Sequence, residues 1–349
     1  MAMPPKISVV MSVYNGRRFL RQAVDSVLAQ TFPDFEFIII DDGSTDATAV
    51  ILGSFDDPRI VVLRNNVNIG LTSSLNCGFD AAKGEFIARF DADDIALPER
   101  LEKQAAFLDA NQEIGILGSC CRLIDAKGLV RGQAEAPLSD IAIRWRGLTG
   151  NPFFHPSVMI RRSLIERHGL RYDETFATAQ DYELWLRLLE HTKGANLEDR
   201  LVSLRRHGDS VSRRRKNRQS ADHDKIALGA ISAIWPGHPL TPALFPLLRR
   251  LVTELAAPEG YADTHRISLL GFYAELLGRF AEKHRGAKGL AALCRRERIL
   301  IAYTAFKAPW RPGLLELLAR LVAADLLLPV FGVMWLARGA MCRLVCRRR

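Results

Sequence analysis

The chain opens on alternating apolar and polar stretches whose lengths identify secondary-structure elements. Residues 7–13 form an unbroken strand-like run that stops at Tyr14-Asn15-Gly16. From about Arg18 to Gln30, Phe19, Leu20, Ala23, Val27 and Leu28 recur with the period of a helix. Residues 35–40 are again apolar in character apart from Glu36, as expected of a parallel strand buried on both faces. The stretch 42–46 then turns the chain and caps another helix. A third strand is predicted at 60–63, a loop at 65–70, a helix at 71–82 broken by Gly84, and a fourth strand at 85–90. Such alternation predicts an α/β fold, a mostly parallel sheet with helices on both faces.

Beyond Asp94 the pattern changes. Residues 98–111 predict an amphipathic helix with Pro98 in its first turn. Residues 114–124 predict a strand ending in a hairpin turn at 125–128. A further strand is expected at 157–160 and a helix at 181–189. A basic run follows at Arg213 to Arg218. A domain boundary is expected near 220–240, where Trp235-Pro236-Gly237-His238-Pro239 interrupts a helix, and everything after 240 reads as helix.

Chemistry concentrates where strands end. One apolar run stops at Asp41-Asp42-Gly43-Ser44 and another at Asp91-Ala92-Asp93-Asp94. Open α/β sheets bind ligands at the carboxyl ends of their strands. An Asp-x-Asp pair there lets carboxylates converge on one hard cation; a solvated turn or helix cap is the plain alternative. A carboxylate at 41–42 can accept the imide hydrogen of a uracil base or a ribose hydroxyl, or it can serve a capping turn. Gly43 lets the backbone turn tightly beside it. Tyr14 can stack on a base or lie half-buried. Asp181 can serve as a base towards a hydroxyl or as an N-cap.

The 349 residues carry a net charge of +9, which favours anionic partners such as phosphates, nucleic acid or anionic lipid. A nucleic-acid-binding reading leaves the strand-end acids unexplained, and no aromatic-and-basic binding motif accompanies the charge. Six cysteines without metal spacing or disulfide density indicate a reducing, cytoplasmic setting. No signal peptide is expected at the N-terminus.

Taken in order, residues 7–15, 26–30, 40–45, 68–70, Leu75-Asn76, Asp91 to Asp94 with Pro98, and 180–183 resemble the inverting family 2 glycosyltransferases of GT-A fold. The resemblance covers residues 6 to about 215. It implies a nucleotide-binding, Rossmann-like GT-A domain over 1–220, with a donor half at about 1–98 and an acceptor half at 99–220. An all-helical region follows at 221–349. By resemblance, Val13, Tyr14 and Asn15 line the nucleotide-base pocket and Asp42 binds the base, usually uracil. Asn68 lies in a loop closing over the nucleotide. Asp91 and Asp93 hold the ribose and a Mg²⁺ or Mn²⁺ ion on the diphosphate. Asp181 is the base that deprotonates the acceptor. The implied partners are a UDP-sugar donor and a glycan or lipid-linked glycan acceptor. Many relatives carry Glu-Asp where this chain has Gln180-Asp181; Glu183 is the rival carboxylate. Arg205-Arg206-His207 resembles an Arg-x-His element in which His207 is a metal ligand or a phosphate contact. His155-Pro156-Ser157 is placed near the acceptor.

Residues 314–337 are mostly apolar but interrupted by Glu316, Arg320 and Asp325. The uninterrupted part falls short of the roughly 20 apolar residues of a spanning helix. A single span would also export Arg338, Arg343 and Arg347 to Arg349, against the positive-inside rule. Two readings stay open: a helix on the inner face of the cell membrane, and a helical subdomain that packs or oligomerises.

Overall fold

The computed structural model describes residues 4–176, 178–208, 216–253 and 263–306. Contacts group the described residues into two units. One lies within Met1–Ile143 and Asn151–Asp222, the other within Arg144–Gly150 and His223–Arg349.

The first unit begins with β1 (Ile7–Val13), α1 (Leu20–Leu28), β2 (Phe35–Asp41), α2 (Thr48–Leu52), β3 (Ile60–Arg64), α3 (Leu71–Ala81) and β4 (Phe86–Asp91). β1 lies parallel to both β2 and β4, and β3 continues the parallel set beside β2. Every residue of β1 is buried, and its two faces supply two cores. Ile7, Val9, Met11 and Val13 pack with Leu20, Val24 and Val27 of α1. Val10 joins Ile38, Ile40 and, from α3, Leu75 and Phe79 on the other side. Unbroken apolar runs are what a strand covered on both faces requires.

The chain continues through β5 (Ile95–Ala96), α4 (Arg100–Ala110), β6 (Ile114–Asp125), β7 (Val130–Ala134) and α5 (Asp140–Arg146). A single 3₁₀ turn (His155–Ser157) leads into β8 (Met159–Arg161), α6 (Arg162–His168), α7 (Gln180–His191) and β9 (Lys193–Arg206). The sheet has nine strands in the order β3-β2-β1-β4-β8-β6-β9-β5, with β7 paired to β6. It is mixed: β8 runs antiparallel to both β4 and β6, whereas β6 and β9 are parallel. The strand expected at 157–160 starts later, at Met159, because 155–157 form the 3₁₀ turn.

Two elements without a sequence signal position the site. β9 reads poorly as a strand because Glu198, Asp199 and Arg200 interrupt its apolar pattern, yet β6 holds it along most of its length. The two-residue β5 pairs antiparallel with β9, Ile95 opposite Ser203 and Ala96 opposite Val202. The same register carried back two residues sets Asp93 opposite Arg205.

In the second unit, α8 (Lys216–Ile234) ends before Trp235-Pro236, and α9 (Phe245–Thr253), α10 (Asp263–Lys283) and α11 (Leu290–Phe306) follow. Trp145 packs its ring on Tyr273 and Phe280, with centroids 5.2 and 5.0 Å away. The fully buried Glu297 accepts hydrogen bonds from the Tyr273 hydroxyl at 2.9 Å and from Arg296 at 2.8 Å. Among the described residues no helix is long and apolar enough to cross a membrane. The apolar stretch at 314–337 and residues 213–215 of the basic run lie outside the described residues.

Gly84 marks the point where α3 gives way to β4. A Cβ there would lie 2.5 Å from the Ser8 nitrogen and 2.7 Å from the Ile7 carbonyl carbon, both rigid β1 backbone. Gly84→Ala is therefore expected to destabilise the first unit by about 1–3 kcal/mol. Calorimetry should show it as a lowered melting temperature.

Candidate active site

The acidic end of β4 is built on buried charge. Arg89, 1% exposed, points back from the strand and donates through Nη2 to Asp91 Oδ1 at 2.5 Å. Its Nε donates to His155 Nε2 at 3.0 Å. Burial works against the Arg89 charge, but the Asp91 carboxylate keeps it ionised. Arg100, equally buried, donates to the Arg89 carbonyl oxygen at 2.7 Å. Arg205 completes the frame from β9. Its amide donates to Asp94 Oδ1 at 2.7 Å and its Nε to the Asp93 carbonyl at 2.7 Å. Its guanidinium also reaches Gln22 of α1 at 2.9 Å and lies over the Phe19 ring.

These contacts aim the carboxylates. The Asp91 and Asp93 side chains keep 31% and 34% of their exposure, enough to meet a ligand. His207 Nε2 lies 2.8 Å from Asp93 Oδ2, so β9 delivers His207 to the strand end. Burial pushes the Asp93 carboxyl above the usual carboxylate range and the Asp91 charge pushes the same way, while the His207 bond opposes them. Asp94, almost fully buried, is raised further by burial and then by Asp93 and Asp91. It serves the backbone of Arg205 and does not face solvent.

A divalent cation suits this donor set. Asp91 and Asp93 offer hard carboxylate oxygens whose charges repel one another, and a cation would relieve that repulsion. Among the described residues no group of three or more His, Cys, Asp or Glu is already arranged to hold a metal ion.

At the end of β2, Asp42 is 2% exposed. Its Oδ1 accepts from Asn65 Nδ2 and the Ile69 amide, each at 2.9 Å, and its Oδ2 accepts from the Gly70 amide at 2.9 Å. Asp42 thus fastens the 65–70 loop, on which Asn68 is exposed. Gly43 makes that seating feasible. Its φ is +68°, and a Cβ would come within 2.6 Å of the Val67 carbonyl carbon. The turn after β1 interlocks with the one after β2. Asn15, in the left-handed region at φ 52°, accepts the Thr45 amide at 2.8 Å. Ser44 Oγ in turn accepts the Asn15 amide at 3.0 Å. Tyr14 is 51% exposed, so its ring is available for stacking. Val13 departs from expectation. Its side chain faces the α1 core and is 3% exposed, so it shapes the site through its backbone, whose carbonyl accepts from Asp42 at 2.9 Å.

Asp181 lies in the first turn of α7 and is not an N-cap; that position is Ala179. Ala179 is buried and left-handed, with φ 59° and ψ 16°. A non-glycine residue there costs about 1–2 kcal/mol, and such strain collects at functional sites. Asp181 Oδ2 accepts from Asn151 Nδ2 at 2.7 Å. Burial raises the Asp181 carboxyl above the usual carboxylate range, while the Tyr182 amide, Asn151 and the Arg89 cation favour its ionised form. Glu183 is occupied elsewhere: Arg187 grips both its oxygens at 2.6 Å. Between the two carboxylate groups sit His155 and Tyr172, the Tyr172 hydroxyl 2.9 Å from His155 Nε2. Because Arg89 Nε–H can only donate, His155 Nε2 is an acceptor and the proton sits on Nδ1. Burial and then the Arg89 cation hold His155 well below its ordinary protonation range.

Tyr14, Asn15, Asp42, Asn68, Asp91, Asp93 and Asp181 were legible in the sequence, and Arg205 was legible as part of the Arg-x-His element, whereas the partner roles of Arg89 and Asn151 were not. For Arg89 the signal was a charge inside an otherwise apolar strand. Asn151 sits in a polar loop and carried none.

Residues 8–169 match Glycosyl transferase family 2. EpsE of Bacillus subtilis (strain 168), a protein named as a glycosyltransferase, is 36% identical over 60% of this chain and 76% of its own length. The amylovoran biosynthesis glycosyltransferase AmsE of Erwinia amylovora is 32% identical over 60% of this chain and 79% of its own. Among solved structures, S. aureus TarS 1-349 in complex with UDP-GlcNAc superposes with a TM-score of 0.55 at 18% identity. That match covers 86% of this chain and 87% of TarS 1-349. The mannosyltransferase PcManGT of Pyrobaculum calidifontis, in complex with GDP-Man and Mn²⁺, gives 0.50 at 19% identity, covering 93% and 86%. At these identities the two structures establish the shared GT-A fold.

Removing the Asp42 carboxylate should release the loop it holds. In Asp42→Ala the Ile69 and Gly70 amides lose their acceptor, an effect of about 1–3 kcal/mol. Hydrogen exchange over 65–70 is expected to accelerate at least about tenfold, with exchange in β1 unchanged.

Proposed function

The chain belongs to glycosyl transferase family 2, and from that premise we propose that it moves a sugar from a UDP-sugar to a hydroxyl of a saccharide or lipid-linked saccharide, with inversion at the sugar C1. The product would enter surface polysaccharide synthesis, a reading supported by the name of AmsE. The complexes of TarS and PcManGT support a nucleotide-sugar donor, and PcManGT supports a divalent ion. One observation carries the reading. Arg89 is bonded to Asp91 and to His155, and its charge also acts on Asp181. That supports treating the strand-end carboxylates and the helix carboxylate as two halves of one site.

In this reading Tyr14 stacks on the base, within a pocket shaped by Val13 and Asn15. Asp42 accepts from the base imide beside the loop it fastens, and Asn68 closes over the nucleotide. Asp91 and Asp93 bind ribose and a Mg²⁺ or Mn²⁺ ion, which when bound neutralises the charge on the departing diphosphate. His207 holds Asp93 in place. Asp181 takes the proton of the acceptor hydroxyl. The acceptor oxygen bonds to C1 as the C1–oxygen bond to the diphosphate breaks, and the electron pair departs with the nucleoside diphosphate. A single in-line displacement inverts the configuration. We assign this chemistry to a catalytic domain over 1–220, with residues 221–349 available for oligomerisation or for a membrane surface on the cytoplasmic side.

Calorimetric titration with UDP, GDP and dTDP, with and without Mn²⁺, tests the donor site. Metal-dependent UDP binding that is lost in Asp93→Ala is expected; preference for GDP or dTDP would overturn the uracil assignment. Asp181→Asn should lower transfer by about 10²–10⁴-fold while leaving UDP affinity unchanged. The base must be ionised to act, and burial raises its proton affinity. The acid limb of the transfer profile is therefore expected above the ordinary carboxylate value of 3.8, with activity falling as pH drops through it.

A further inference from the structure

Asn151 precedes Pro152 in a segment whose amide groups are fully directed. Asn151 Nδ2 donates to Asp181 Oδ2 at 2.7 Å, while Asn151 Oδ1 accepts the Phe153 amide at 3.1 Å. The pair leaves one orientation of the side-chain amide. Reversed, its oxygen would face a carboxylate and its NH₂ a backbone N–H. The turn is itself anchored. Pro152 restricts Asn151 to extended backbone, and the buried Asn196 donates to the Pro152 carbonyl at 3.3 Å and the Pro137 carbonyl at 2.7 Å. Phe153 packs edge-on against Trp185, one turn beyond Asp181 on α7, with centroids 6.3 Å apart. From the other side, the left-handed Ala179 sets the direction in which α7 starts.

We propose that Asn151 is the positioning residue of the transfer reaction: its amide fixes the plane of the Asp181 carboxylate and keeps that carboxylate in the proton-accepting form. The inference rests on the reading of Asp181 as the base. An N–H directed at a carboxylate favours the anion, so losing it raises the pH at which Asp181 takes up a proton. Besides Asn151, the groups that act on Asp181 include the backbone amides of Tyr182 and Asp181 itself and the Arg89 cation on β4, all of which favour the anion, and the nearby Tyr172 hydroxyl, which burial keeps protonated.

Asn151→Ala removes the amide. Asn151→Asp keeps its shape and its bond to the Phe153 amide but replaces the donor with a like charge. Infrared difference titration of the full chain follows the protonated carboxyl band assigned to Asp181 by its loss in Asp181→Asn, and needs no substrate. The midpoint is expected to rise in Asn151→Ala and further in Asn151→Asp. With the UDP-sugar that binds, UDP release should show kcat lowered at least about tenfold, KM for the donor within twofold, and the acid limb displaced upward. An unmoved midpoint overturns the proposal, as does a moved midpoint with wild-type kcat in a background where Asp181→Asn is inactive. Should Asn151→Ala not fold, Asn151→Asp alone decides by the same two readouts. Transfer that survives in Asp181→Asn would refute the base assignment instead, whatever the Asn151 variants do.

Discussion

The constraint on which the site depends is the neutralisation of charge at the carboxyl end of β4. Three carboxylates fall within four residues, on a strand whose preceding positions are all buried. Charges taken out of water must be paired and hydrogen-bonded. Arg89 and Arg205 meet that demand directly, and Arg100 secures the Arg89 backbone from beneath. Each arginine is at least nine-tenths buried, so none is a surface ion pair of small effect. The result is an acidic edge that is rigid underneath and accessible above, where Asp91 and Asp93 keep about a third of their exposure.

Backbone pairing provides the scaffold for that pairing of charge. β5 is too short to be stable alone, but its register with β9 sets Asp93 and Asp94 beside Arg205 and brings His207 to Asp93. β9 is in turn held along β6. A strand more than a hundred residues downstream therefore completes a site begun by β4. The loops on the β1 and β2 side are tied in a comparable way, through Asn15 with the Ser44–Thr45 turn and through Asp42 with the 65–70 loop.

Arg89 also connects the two carboxylate groups of the proposed site. Its guanidinium touches Asp91, which we assign to the donor, and His155, which leads through Tyr172 towards the side we assign to the acceptor. Holding His155 neutral leaves it a hydrogen-bond donor at Nδ1 only. Among the groups that act on Asp181 are the Arg89 cation and the neutral amide of Asn151. A buried carboxylate can stay ionised in such surroundings, and Ala179 and Asn151 hold it in one orientation.

The α/β class and the acidic strand ends were legible in the order of residues because both follow from local rules. Short, mainly apolar runs such as 7–13 and 35–40, bounded by turn residues, fit strands buried on both faces, and a run that stops at Asp41 or Asp91 puts its carboxylates at the strand end. The tertiary structure alone decided what holds each of these residues. Asp94 is taken by the Arg205 backbone, Asp42 holds a loop, Val13 turns into the core, and Glu183 is claimed by Arg187. The short β5, the interrupted β9 and the Asn151 amide have no periodicity to announce them. Their roles come from hydrogen bonds to residues far along the chain, and those partners exist only once the sheet has closed.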